Sequence, residues 1–87
     1  MKVVFLKDEE GDIFAYFPFE EWCNGTMSCY AHIGQHSACH PNYASKCKEA
    51  KKSEILPLLN ELLSIGYNDL EIITKKQAKT FYEHLAR

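Results

Sequence analysis

The side chains with the most chemical potential lie in one stretch of the chain, residues 23–44, which contains no Asp, Glu, Lys or Arg. Cysteine thiolates and histidine nitrogens, which are concentrated there, are the ligands of structural zinc sites, usually four in a tetrahedron. Two overlapping sets have suitable spacing. The first is Cys29, His32, His36 and Cys39, and the second is His32, His36, Cys39 and His40.

The pattern around Cys29 argues against the first zinc set. From Met27 to Ile33, apolar and polar side chains alternate with the period of two that is typical of a half-buried β-strand. This alternation places Cys29 on the apolar face and His32 on the opposite face, and the second set depends on a flexible loop. We therefore expect no cofactor, with zinc as the alternative. The cysteines are expected to be reduced thiols, because the chain shows no secretion signal.

The same alternation predicts a neutral binding surface. Tyr30 and His32 are expected to point outward from the sheet, beside Gln35 and His36 in the loop that follows. Uncharged aromatic and hydrogen-bonding groups suit contact with a protein surface or an unstacked base. The competing interpretation is that a helix covers Tyr30 and His32 and satisfies their polar atoms inside the protein.

A run of lysines follows the uncharged stretch. Residues 45–52 contain four Lys and one Glu, whereas residues 1–22 contain two Lys and six acidic residues. Lys46 and Lys48 are expected to flank the Tyr30 surface and to belong to the binding site. Because the whole chain has a net charge of −2, nucleic-acid binding is not favoured, although lysines beside that surface could contact phosphates.

Catalysis is not expected from this sequence. A Cys–His or His–Tyr pair can perform nucleophilic or acid–base chemistry. However, the uncharged stretch contains no carboxylate to orient a histidine. The acidic residues 8–12 are instead expected to form the solvated tip of a hairpin.

The elements that must position these residues are mostly strands in the first half of the chain. Lys2–Lys7 and Ile13–Phe17 favour a β-hairpin with Gly11 in its turn. Pro18 is expected to end the second strand. The remaining elements predicted in this half are a third strand (27–33) and two loops (18–25 and 35–42).

Helix signals dominate the second half. Ser53 is expected to be the N-cap of a helix with an apolar leucine stripe, and Gly66 is expected to end it. Residues 69–74 favour a strand. Thr74 and Gln77 resemble a capping box that begins a final helix.

The predicted order is β-β-β-(α)-α-β-α, where residues 43–52 are either a short helix or an extended link. It indicates one α+β domain over residues 1–87, with a small antiparallel sheet packed by one or two helices on one face. A domain of this size buries only about two-thirds of its unfolded surface. No membrane span is expected, because no segment approaches the roughly 18 apolar residues that one requires.

Residues 30–36 read Tyr-Ala-His-Ile-Gly-Gln-His. This run resembles a motif in small proteins of unknown function encoded by bacteriophages and mobile elements of gut bacteria. Those proteins also open with a Val-Val-Phe hairpin and carry a Leu-rich helix that ends in Ser-Ile-Gly-Tyr, as residues 64–67 do here. The resemblance covers roughly residues 2–74 and leaves 75–87 as an added C-terminal helix. It implies a shared site at Tyr30, His32, Gln35 and His36.

The resemblance also implies a biological setting. It points to an accessory protein of a phage or mobile element in the cytoplasm of a bacterial host. Such proteins often bind a host protein, including components of anti-phage immunity, so a host or phage protein is the expected partner. In that family a Ser precedes the Tyr, whereas Cys29 stands there in this chain, so the resemblance does not support the cysteines as site residues.

Overall fold

The computed structural model describes residues 1–23, 25–31 and 34–78. Residues 79–87 of the expected C-terminal helix (75–87) therefore lie outside the described residues, as does His32. Residues 75–78 are helical. The elements before them are β1 (Lys2–Lys7), β2 (Ile13–Cys23), β3 (Thr26–Ala31), β4 (Gln35–Cys39), α1 (Pro41–Lys46), β5 (Lys48–Glu49), α2 (Lys52–Ser64) and β6 (Glu71–Ile72).

One sheet organises the fold and confirms the α+β class. Its strands lie in the order β4-β3-β2-β1-β5, with antiparallel neighbours, and β6 pairs with β1 in parallel. The first hairpin is as expected. Gly11 has a φ of 89° in its turn, a backbone conformation that favours glycine.

The second strand is longer than expected, because β2 continues through Pro18 to Cys23. Proline cannot donate a hydrogen bond to a neighbouring strand, so inside a sheet it is confined to irregular positions. The pairing of β2 with β3 shifts register between Phe17 and Glu21, which places the buried Pro18 at such an irregularity.

The expected loop over residues 35–42 is wrong, because Gln35–Cys39 forms β4. Gly34, with a φ of 73°, turns the chain between β3 and β4. Pairing then places Tyr30 opposite His36 and Cys29 opposite Ser37. The polar composition predicted a loop, but the backbone pairing with β3 forms this strand.

Helices cover both faces of the sheet, which corrects the expectation of one covered face. One face, here called the α1 face, packs Tyr16, Cys29 and Cys39 with Ala44 of α1. The opposite face, the α2 face, packs Phe5, Phe17, Tyr30, Leu58 and Leu62. Both faces are therefore covered over the buried part of the central strands, whereas residues 19–23 at the end of β2 are exposed.

Helix α2 begins at Lys52 with Lys51 as its N-cap, so Ser53 is not the N-cap. The Glu54 carboxylate accepts a hydrogen bond from the Lys51 backbone N–H (2.9 Å), which satisfies the cap from within the first turn. Gly66, with a φ of 116°, follows the end of the helix as expected.

The signals near the end of the described chain are confirmed in part. Thr74 and Gln77 form a reciprocal capping box. The Thr74 N–H donates to Gln77 Oε1 (2.9 Å) and the Gln77 N–H donates to Thr74 Oγ1 (3.2 Å). The strand expected over 69–74 is reduced to the two residues of β6. Among the described residues, no helix has the length and apolarity needed to cross a membrane.

Candidate functional site

Tyr30 is buried, with 1% of its surface exposed, so the expectation that it points outward is wrong. The alternation from Met27 to Ile33 assigned the two faces of β3 correctly, since Cys29 and Tyr30 lie in different clusters. The prediction that the face without Cys29 is solvated is wrong, because α2 covers that face. For Tyr30, the competing interpretation is therefore confirmed.

The Tyr30 hydroxyl is satisfied inside the protein by two partners. It donates a hydrogen bond to the Glu61 carboxylate of α2 and accepts one from the Gly34 N–H (2.9 Å). The bond to Glu61, followed by burial, raises the pKa of the Tyr30 hydroxyl. One tyrosine thus joins the sheet, α2 and the β3–β4 turn.

His36 lies above this buried group and is exposed. Its ring contacts the Tyr30 ring edge-on, with centroids 4.7 Å apart. Its Nε2 forms a hydrogen bond with the Tyr67 hydroxyl (2.9 Å). The Tyr67 ring in turn stacks on Phe17 at 5.5 Å, so an exposed imidazole is held from two sides.

The segment of residues 30–36 and the Ser-Ile-Gly-Tyr segment of residues 64–67 meet at this point. Tyr30, Gly34 and His36 come from the first segment and Tyr67 from the second. Sequence reasoning did not assign Tyr67 or Glu61 to the site. The Ser-Ile-Gly-Tyr segment was a signal that could have found Tyr67. No sequence pattern indicates Glu61, because its hydrogen bond with Tyr30 depends on how α2 lies across the sheet.

The other expected site residues are not all brought together. Gln35 precedes His36 on β4 and pairs with Ala31. Because successive side chains on a strand point to opposite faces, Gln35 lies on the α1 face and His36 on the α2 face. Both are exposed, but they do not form one patch.

The lysines do not flank His36, which corrects that part of the predicted site. Lys48 lies on β5, which pairs with β1 at the opposite edge of the sheet from β4. Lys46 is the last residue of α1, and α1 covers the face of the sheet opposite to the one that carries His36. The reason is that α1 carries the chain from one edge of the sheet to the other. Lys46 and Lys48 instead line a groove beside Asp8 and Glu9.

The candidate ligands of the alternative zinc site lie on different faces of the sheet. Cys29 and Cys39 lie on the α1 face, whereas His36 lies on the α2 face. His40 is the N-cap of α1, and its Nδ1 accepts a hydrogen bond from the Asn42 N–H (3.1 Å). Within ranges 1–23, 25–31 and 34–78, no three His, Cys, Asp or Glu side chains form a group that could hold a metal ion. The expectation of no cofactor stays a prediction.

Three thiols lie together on the α1 face. Cys29, Cys39 and Cys47 are free and buried. The Cys29 sulfur lies 3.2 Å from the Ser37 hydroxyl oxygen. Hydrogen bonds from the Cys39 thiol and from Ser37 lower the pKa of Cys29, while the hydrogen bond with Cys29 and burial raise the pKa of Cys39.

Comparisons of this chain with protein-family models, with curated proteins and with solved structures find no match. The residues at His36 and the fold that positions them are therefore the basis for a functional conclusion.

Proposed function

We propose that this chain is a binding module whose partner protein contacts the His36 surface, defined as His36, Ala38, Ile65 and Tyr67. The observation that carries the proposal is that His36 is exposed and yet held by the Tyr67 hydroxyl and the Tyr30 ring. Fixing an exposed side chain before binding reduces the entropy lost when a partner contacts it.

The composition of this surface favours a protein partner. Ile65 follows α2 with 49% of its surface exposed, two residues before Tyr67. Ala38 is exposed on the same face of β4 as His36. The His36 surface, which combines a histidine, a tyrosine and two apolar residues, resembles the centre of a protein interface more than a phosphate-binding surface.

The resemblance to phage and mobile-element proteins supports a choice of partner. Under the proposal, the partner is a protein of the bacterial host, such as a component of anti-phage immunity. The protein then acts by occupying a surface of that partner. No chemical step is required of His36, whose role is to donate or accept a hydrogen bond at the contact.

The proposal is tested by capture from a host lysate with matched variants. His36→Ala removes the fixed imidazole, whereas Ser37→Ala removes a small polar group from the neighbouring position on the other face. The proposal expects a protein that wild type and Ser37→Ala retain equally and that His36→Ala retains at least about tenfold less. Circular dichroism checks that each variant is folded.

A Lys46→Ala/Lys48→Ala variant serves as the second control, because these lysines lie at the other edge of the sheet. Equal retention by His36→Ala and wild type would contradict the proposal. The proposal would also be contradicted if only the lysine variant failed to retain the protein. That result would place the contact at the groove that Lys46 and Lys48 line.

A further inference from the structure

The two edges of the sheet differ in how they are protected. At the β1 edge, β5 and β6 have two residues each, and three of these four residues are charged (Lys48, Glu49 and Glu71). Short strands and charged residues are common devices that prevent an edge from pairing with another chain. That edge of the sheet is therefore protected.

The β4 edge has none of these devices. Its five residues, Gln35–Cys39, contain no charge and no proline, and its pairing with β3 runs without a register shift. Four of the five residues are exposed. Among the strands of the described chain, only β3 pairs with β4. A regular, uncharged edge strand is an open template for backbone hydrogen bonds.

We infer that β4 pairs with β4 of a second copy of this chain, so that two sheets join into one. When all five residues pair antiparallel, the twofold axis passes through Ser37, and each Ser37 faces its own copy. Like charges directly opposite one another destabilise a strand pair, and this pairing brings none together. The absence of charge from residues 23–44 extends over β4 and both of its flanks.

The inferred dimer does not depend on the proposed function. Strand pairing uses backbone N–H and C=O groups, while the His36 side chain stays on the α2 face. A dimer would present two His36 surfaces on the same side of one continuous sheet. Partner binding and dimer formation can therefore fail separately.

The size of the contact predicts a weak dimer. A stable interface of standard size buries about 800 Å² on each partner, which is roughly a seventh of the 5791 Å² surface of this chain. Five paired residues supply less than that. We therefore expect a dissociation constant in the micromolar range and a mass that depends on concentration.

The test is sedimentation of the purified full chain over a concentration series, with two variants of one position. Ser37→Lys places like charges opposite each other, whereas Ser37→Ala removes the same hydroxyl without adding charge. The inference expects wild type and Ser37→Ala to approach twice the 10.0 kDa mass of one chain. Ser37→Lys should dissociate at least about tenfold more easily.

Hydrogen–deuterium exchange provides the second measurement on wild type alone. Backbone amides of β4 should exchange more slowly as concentration rises, while those of β5 should not change. If Ser37→Lys fails to fold, Ala38→Lys replaces it, because residue 38 lies diagonally across the same axis.

A chain that stays monomeric at every concentration would overturn the inference, and any strand that pairs with β4 would then come from another protein. A dimer that Ser37→Lys or its replacement does not weaken, or that leaves β4 exchange unchanged, would overturn it as well.

Discussion

At the scale of single residues, the Tyr30 hydroxyl connects three parts of the molecule. It donates a hydrogen bond to the Glu61 carboxylate and accepts one from the Gly34 N–H, while the Tyr30 ring itself is buried. Tyr30→Phe keeps the ring and removes the hydroxyl. We expect the thermal unfolding midpoint to fall by about 5–10 °C, because two polar groups lose this partner.

The matched control for that change is Tyr43→Phe, since about half of the Tyr43 surface is exposed. Its midpoint should change little. Equal unfolding midpoints for Tyr30→Phe and wild type would show that the hydrogen bonds of the Tyr30 hydroxyl do not stabilise the fold.

The raised pKa of Tyr30 also predicts a response to alkaline pH. The folded state holds the Tyr30 proton more tightly than the unfolded state, where the pKa is close to 10.0. This contribution to stability is complete below that value and is lost as pH rises from it towards the folded pKa. Unfolding midpoints should therefore separate wild type from Tyr30→Phe at neutral pH and converge above pH 10. A constant difference would contradict the assignment.

Cys29 gives a third test at the residue scale. Its pKa is lowered first by the hydrogen bond from the Cys39 thiol. Ultraviolet absorbance of the thiolate should show one group that titrates below the usual range of a cysteine thiol, and Cys39→Ala should move this titration upward. Persistence of the same titration in Cys39→Ala would show that Cys39 is not its cause.

At the scale of elements, Glu54 joins the start of α2 to β1. Its carboxylate forms an ion pair with Lys7 (2.7 Å) and accepts the Lys51 N–H. These contacts lower the pKa of Glu54, with the Lys7 bond as the largest cause. The stability they supply is present above the unfolded value of 4.5 and is lost as pH falls below it.

Glu54→Gln should therefore lower the unfolding midpoint at pH 7 and have a smaller effect near pH 3. Lys52→Gln, which removes an exposed charge from the same turn, is the control and should change the midpoint little at either pH. An effect of Glu54→Gln that does not depend on pH would contradict the role of the ion pair.

The elements also show what the sequence could predict. The hairpin turn, the end of α2 at Gly66 and the Thr74–Gln77 capping box depend on neighbouring residues, and all three are confirmed. Strand β4 was missed because its pairing with β3, rather than its own composition, makes it a strand. Pro18 failed as a strand end because a register shift accommodates it.

At the scale of the whole molecule, the residue that is exposed at the site depends on whether helices cover one face of the sheet or both. Alternation along β3 separated Cys29 from Tyr30 correctly, but it contains no information on whether a second helix layer exists. Because α2 covers Tyr30, the Tyr30 side chain lies beneath the site, and His36 is the exposed group. The topology likewise separates Lys48 from His36, because α1 crosses from one edge of the sheet to the other.

The most direct measurement of the central claim is site-specific photo-crosslinking in bacterial host cells. Benzoylphenylalanine replaces either Ile65, which belongs to the His36 surface, or Leu56, which is exposed in the first half of α2. Both are exposed apolar residues, at 49% and 57% respectively. We expect position 65 to crosslink a protein of the proposed bacterial host and position 56 not to do so. A host protein crosslinked from position 56 and not from position 65 would contradict it.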